Sequence, residues 1–197
     1  MENSLMTKDQ NFYQSIRKLA LVTGCILLIP LIAMQLNDEV DWSLFDFIFA
    51  GTLIFGTGFT YKFITRKTID IAYRVAVGFA LFTGFFLIWT NLAVGIIGSE
   101  NNSINMIYFG VIAVGIIGAL IVRFQSKGMV SVLFLMAAAM ALAAAIALFS
   151  GMHQLPGSSV IEILGVNGFF MTLFIIAALL FRYASLEQVL ANADTEN

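Results

Sequence analysis

Residues Leu87–Glu100 read LIWTNLAVGIIGSE. An apolar helix-forming run carries one asparagine, passes through two glycines and ends on an acid. No water-soluble helix needs so little polarity. In a bilayer the same run reads as the end of a spanning helix, with Asn91 about 10 Å below its mouth if the helix continues to Ile97. Helix three is therefore expected over Ile71–Ile97, the longest of the set, tilted or projecting from a ~30 Å hydrocarbon core.

Working outward, five more apolar runs of about 20 residues appear: Leu19–Leu36, Leu44–Ile64, Ile104–Val122, Met129–Phe149 and Val160–Phe181. The 197-residue chain is 60% hydrophobic and 11% charged, whereas a soluble domain carries about a quarter charged residues. Continuous runs exclude a β-barrel, whose short strands alternate. The predicted fold is all-α, an integral membrane bundle of six transmembrane helices. Links at 37–43, 65–70, 98–103, 123–128 and 150–159 are short, so consecutive helices are expected as antiparallel neighbours. Arg17 and Lys18 precede the first span, which reads as an uncleaved signal anchor; Pro30 is expected to kink it. Residues 1–16 form a cytoplasmic N-terminal segment, 17–182 the membrane domain and 183–197 a cytoplasmic tail. In that tail Leu186, Val189, Leu190 and Ala193 keep helical spacing, either as a helix fraying into water or as one that docks a partner.

The ten Lys and Arg residues, Lys8, Arg17, Lys18, Lys62, Arg66, Lys67, Arg74, Arg123, Lys127 and Arg182, fall on one side of this six-span scheme. Asp38, Glu39, Asp41 and Glu100 fall on the other. The positive-inside rule then puts both termini in the cytoplasm. Tyr61, Tyr73 and Tyr183 fit an inner aromatic belt, Trp42 and Tyr108 an outer one. The lone cysteine, Cys25, allows no internal disulfide and no thiolate metal site.

Membrane helices associate through small residues and polar contacts. Ala72, Ala76, Ala80 and Gly84 give helix three a face for close approach, extended by Asn91, Gly95 and Gly98, and place it at the centre of the bundle. Helix five, with eight alanines in 137–147, is expected against a neighbour. The segment Ala93-Val-Gly-Ile-Ile-Gly98 recurs at 113–118, which reads as packing similarity or as a trace of an inverted repeat.

Polar residues gather in the outer half. A buried Asn91 amide without a partner costs several kcal/mol, so it faces protein or a wet cavity. It is either interhelical glue or a ligand contact. Asn167 sits at similar depth in helix six. Ser43-Leu-Phe-Asp46 and Ser159-Val-Ile-Glu162 match the capping box, in which serine and acid satisfy first-turn amides. The competing reading of Asp46 and Glu162 is a proton or cation site. Ser103 is a natural N-cap for helix four. His153, the only histidine, lies in an outer loop. With Glu100 or the Asp38–Asp41 acids it could bind a metal, but its spacing matches no metal motif, and no metal site is assigned. Together Asp46, Asn91, Glu100, His153, Glu162 and Asn167 are the ligand-binding candidates, around a shallow outward-facing cavity between helices two, three and six.

No catalytic motif, phosphate loop, haem-ligating pair or basic nucleic-acid patch is present, and no cofactor is named by the sequence. Leu87–Glu100 and Ile163–Phe170, ILGVNGFF, together resemble a group of uncharacterised bacterial multipass inner-membrane proteins. The resemblance covers most of the chain. It implies a bacterial plasma membrane and no activity. The leading expectation is a small non-enzymatic membrane protein that binds a ligand or protein partner through its outer pocket. The alternative is a small-solute or ion transporter or channel acting as an oligomer. An enzyme would need two titrating groups in contact, such as Glu100 and His153.

Overall fold

The structure is a computed structural model describing residues 2–36, 40–66, 68–155 and 158–195. Asp38, Glu39 and Lys67 lie outside the described residues, as does the side chain of Lys8. Six helices account for nearly all of it: α1 Glu2–Leu36, α2 Leu44–Thr65, α3 Ile71–Ala93, α4 Met106–Ile121, α5 Ser126–Phe149 and α6 Val160–Thr195. No strand occurs among the described residues. Each helix holds a stretch long and apolar enough to cross a membrane. The protein is a six-helix, multipass integral membrane protein.

The chain forms two compact units, Met1–Phe63 and Ile64–Asn197. In the first, α1 and α2 meet where α2 lacks side chains. Leu27 Cδ1 lies 3.1 Å from the position a Cβ on Gly51 would take, and Leu19 Cδ1 2.5 Å from that on Gly58. Rising numbers on one helix meet falling numbers on the other, so the two run antiparallel. The α1 helix runs unbroken through Pro30. It begins far before the expected Leu19, because nothing in 2–18 breaks a helix. Phe55, Phe59 and Phe63 stack at one-turn spacing along α2, with ring centroids 6.2 and 6.3 Å apart.

The second unit is built on α5 and α6. The buried residues of α6 are Ile163, Asn167, Phe170, Phe174, Ala177, Ala178, Phe181 and Ala184. Apart from Ala178, they step alternately by four and three. Met129, Leu133, Met136, Met140, Ala143 and Ala147 on α5 step the same way. A 3–4 repeat keeps one narrow seam facing a partner over many turns. The α6 seam carries the large rings Phe170, Phe174 and Phe181, and the α5 seam alanines and pliable methionines. The α6 helix also packs on α3, through edge-to-face contact of Tyr73 with Phe181 and through Phe86 against Phe170. On its other side α5 packs on α4.

Within the second unit α3 is not central: α6 lies against both α3 and α5, and α5 against both α4 and α6. The alanine face of α3 is shared out instead. Ala76 is fully buried, while Gly84 faces Ile112 of α4, 3.7 Å from its notional Cβ. Sequence neighbours α3 and α4 meet only briefly, because an irregular segment separates them.

Two further expectations change. Tyr108 does not join an outer aromatic belt; it is 1% exposed and turned into the unit. Tyr73 is buried and donates its hydroxyl to the carbonyl of Phe124, 2.7 Å away. The sixth helix runs past the span end at Phe181 into the tail, as the tail's helical spacing leads one to expect. It continues to Thr195, since residues 182–195 contain neither glycine nor proline. Gln188 then bridges two helix starts: its Nε2 donates to Asp70 Oδ2 (2.8 Å) and its Oε1 accepts from Ser126 Oγ (3.1 Å). Asp70 also caps α3 by accepting the Tyr73 amide at 3.0 Å.

Candidate functional site at the C-terminal end of α3

The stretch Leu87–Glu100 does not continue as helix to Ile97. The α3 helix ends at Ala93, Val94 closes it by donating to the Thr90 carbonyl, and Gly95 and Gly98 take left-handed φ values of 74° and 71°. At Gly95 only glycine fits easily, because a Cβ would lie 2.5 Å from the Ser99 backbone. The chain then folds back as a loop that buries Ile96 and Ile97 (7% and 0% exposed). A buried loop needs partners for its backbone, and side chains supply them.

Asn105 is the main partner. Its Oδ1 accepts from the Ile97 amide (3.0 Å), and its Nδ2 donates to the carbonyls of Ile97 (3.3 Å) and Ser99 (2.8 Å). The side-chain amide thus imitates a strand neighbour for Ile97. Ser158 Oγ accepts from the Gly98 amide at 2.5 Å, tying the loop to the segment before α6. Asn102 Oδ1 accepts from the Ile104 amide (3.3 Å) at the 3-10 turn Ser103–Asn105 that leads into α4. Ser103, expected to cap α4, instead lies in this turn, which Asn102 caps; α4 itself starts after Asn105 without a side-chain cap bond. Asn102 Nδ2 also reaches Met152 Sδ at 3.8 Å, so the loop carrying His153 lies alongside.

Asn91 is 3% exposed and stands in the last turn of α3, not seven residues below its end. Its Nδ2 donates to the Asn105 carbonyl at 3.2 Å. Its Oδ1 is buried and accepts no hydrogen bond from the protein. Asn167, 2% exposed, has its amide fully engaged: Oδ1 accepts from the Tyr108 hydroxyl (3.0 Å), and Nδ2 donates to the Ile163 carbonyl (2.8 Å).

Asp46 and Glu162 stand at helix starts and are exposed. Asp46 Oδ2 accepts from the Ser43 amide and hydroxyl, both 2.7 Å, while Ser43 Oγ accepts from the Asp46 amide at 3.3 Å. Glu162 Oε2 accepts from the Ser159 amide (2.6 Å), and Ser159 Oγ from the Glu162 amide (3.2 Å). Both are complete capping boxes. Glu100 is exposed and accepts from Asn101 Nδ2 at 2.8 Å. His153 is exposed on the 3-10 turn Met152–Gln154. Among the described residues, no three His, Cys, Asp or Glu side chains gather closely enough to hold a metal ion.

Of the six candidates, Asp46 belongs to the first unit and five to the second. The structure joins Asn91 to Asn105 and Asn167 to Tyr108, and sets the loops of Glu100 and His153 side by side. Asn105 and Ser158 were not singled out in the sequence, and Tyr108 was read only as a belt residue. The signal for Asn105 was the pairing of two glycines with NNSIN just downstream, a turn pattern embedded in apolar residues. What fold and site define is an α-helical multipass membrane protein whose α3–α4 connection is fastened by buried amides. No family model, curated protein or solved structure matches the chain.

Proposed function

We propose that this is a non-enzymatic membrane protein, both termini cytoplasmic, that binds a ligand or protein partner at the end of the bundle carrying Asn91 and Glu100. The carrying observation is Asn91 Oδ1, a buried acceptor whose hydrogen-bonding capacity the protein leaves unused. Every other buried amide at that end has its oxygen engaged. Native proteins rarely retain such a group without a reason in function or ligation. Asp46 and Glu162 have their carboxylates spent on capping, so the site narrows to Asn91, with Glu100 and His153 at its rim. In keeping with the resembled group, the host membrane is proposed to be a bacterial plasma membrane, and a second copy or another membrane protein the macromolecular partner.

Binding is preferred to transport because hydroxyls that would line a path are turned to their own helices. Thr57 donates to the Leu53 carbonyl and Thr83 to that of Phe79. Native mass spectrometry of the protein in mild detergent tests the reading. A reproducible bound mass, lost in Asn91→Leu, is expected. Identical spectra for wild type and variant, with only loosely held lipid, would contradict it.

A further inference from the structure

We propose that Asn91 Oδ1 is an oxygen ligand of a site for a small monovalent cation of sodium size, formed where α3 stops. The inference rests on the reading of this end as a ligand site and names the chemistry that site selects. Three features of the chain converge on it.

First, the free group is an acceptor. The Asn91 side chain is held in one sense, because Nδ2 donates to the Asn105 carbonyl at 3.2 Å; turning the amide over would set two oxygens against each other. The outward atom is therefore the oxygen, and it is buried without a donor. A hydrogen-bond donor or a cation would satisfy it.

Second, the helix end that carries Asn91 offers further oxygens. A helix end leaves its last carbonyls without intrahelical partners. Here Val94 takes the carbonyl of Thr90, which leaves those of Asn91, Leu92 and Ala93 at the open end. Summed peptide dipoles put about half a negative charge at that end. Two of the amides in the adjoining loop are engaged elsewhere: those of Ile97 and Gly98 go to Asn105 and Ser158. Interrupted membrane helices use such carbonyl ends to hold small cations.

Third, the charge is right for one elementary charge and wrong for two. The oxygens around Asn91 are neutral, and Glu100, the nearest acid in sequence, is exposed and bonded to Asn101. Calcium and magnesium sites draw on carboxylates. A neutral set of carbonyl and amide oxygens suits a monovalent ion.

The test is thermal unfolding of the full-length protein in mild detergent. Choline chloride is replaced stepwise by sodium chloride or potassium chloride at constant ionic strength, so that screening stays fixed. A saturable rise in midpoint of about 5 °C is expected for wild type, the size a ligand at about a hundredfold its dissociation constant confers on a chain of this length. The rise should vanish in Asn91→Leu. In Asn91→Asp, which keeps the oxygen and adds a charge, it should reach half-maximum at about tenfold lower salt. Should Asn91→Leu fail to fold, Asn91→Asp decides alone: an unshifted dose response overturns the proposal. Equal midpoints in choline, sodium and potassium for wild type overturn it, as does a rise that survives unchanged in Asn91→Leu. A bound organic mass lost in Asn91→Leu, without any cation effect, would overturn the cation inference and leave the ligand site standing.

Discussion

The hexapeptide Ala-Val-Gly-Ile-Ile-Gly occurs at 93–98 and again at 113–118. In the first copy, Ala93 is the last residue of α3, and the other five form a loop with both glycines left-handed. In the second, all six lie inside α4. There a Cβ on Gly115 would meet Met136 Sδ at 2.6 Å, and one on Gly118 would meet Val132 Cγ1 at 2.8 Å. Local propensity is identical, so neighbours decide. Copy one has Asn105 to bond both backbone groups of Ile97 and Ser158 to take the Gly98 amide. Copy two has α5 pressed against it, and its glycines serve as notches. The same glycines thus supply left-handed backbone in one place and absent volume in the other. No repeat unit rests on the two copies, because they are not structurally equivalent.

Substitutions should separate the two roles. The largest effect is expected from Asn105→Leu, which strands the amide of Ile97 and the carbonyls of Ile97 and Ser99. At about 1–3 kcal/mol per buried unsatisfied group, partly relieved by loop opening, the loss should be about 4 kcal/mol in denaturant unfolding from detergent. Gly95→Ala comes next, at about 3 kcal/mol, from a left-handed alanine and overlap with the Ser99 backbone. Gly118→Ala should cost about 2 kcal/mol, because the β-branched Val132 cannot swing aside. Ser158→Ala, which removes the acceptor for the Gly98 amide, should cost about 1 kcal/mol in the same assay. Gly115→Ala should be smallest, below about 1 kcal/mol, since the tip of Met136 can move. If Gly115→Ala and Gly95→Ala proved equally costly, the distinction between notch and left-handed turn would collapse.

The six spans were legible because a bilayer demands long continuous apolar runs, and the chain offers six. The capping boxes were legible because their chemistry is local: serine and acid three residues apart. The end of α3 was misread because Val94, Ile96 and Ile97 extend the apolar run past Gly95 as far as Gly98. Hydrophobicity alone does not distinguish a helix in lipid from a loop buried by protein. Asn105 sits eight residues from the backbone it satisfies, and Ser158 is sixty from Gly98, distances at which sequence carries no pairing information. The α5–α6 seam was written in the sequence as alternating steps of three and four. The alanine face of α3 drew attention from it. The helical spacing of Leu186, Val189 and Leu190 was legible too, and α6 runs on through it, since leaving a bilayer does not itself end a helix.

The central claim is that the Asn105 side chain, not helical continuity, protects the backbone of Ile96–Gly98. Hydrogen–deuterium exchange with mass spectrometry over residues 87–105 tests it most directly, comparing wild type with Asn105→Leu and using 113–118 as internal control. The account predicts slow exchange at Ile97 and Gly98 in wild type, faster by at least about tenfold in the variant as about 1.4 kcal/mol or more of protection is lost, with 113–118 unchanged. Equal protection of Ile97 and Gly98 in both proteins would mean that α3 continues through the first hexapeptide as it does through the second, and would contradict the account.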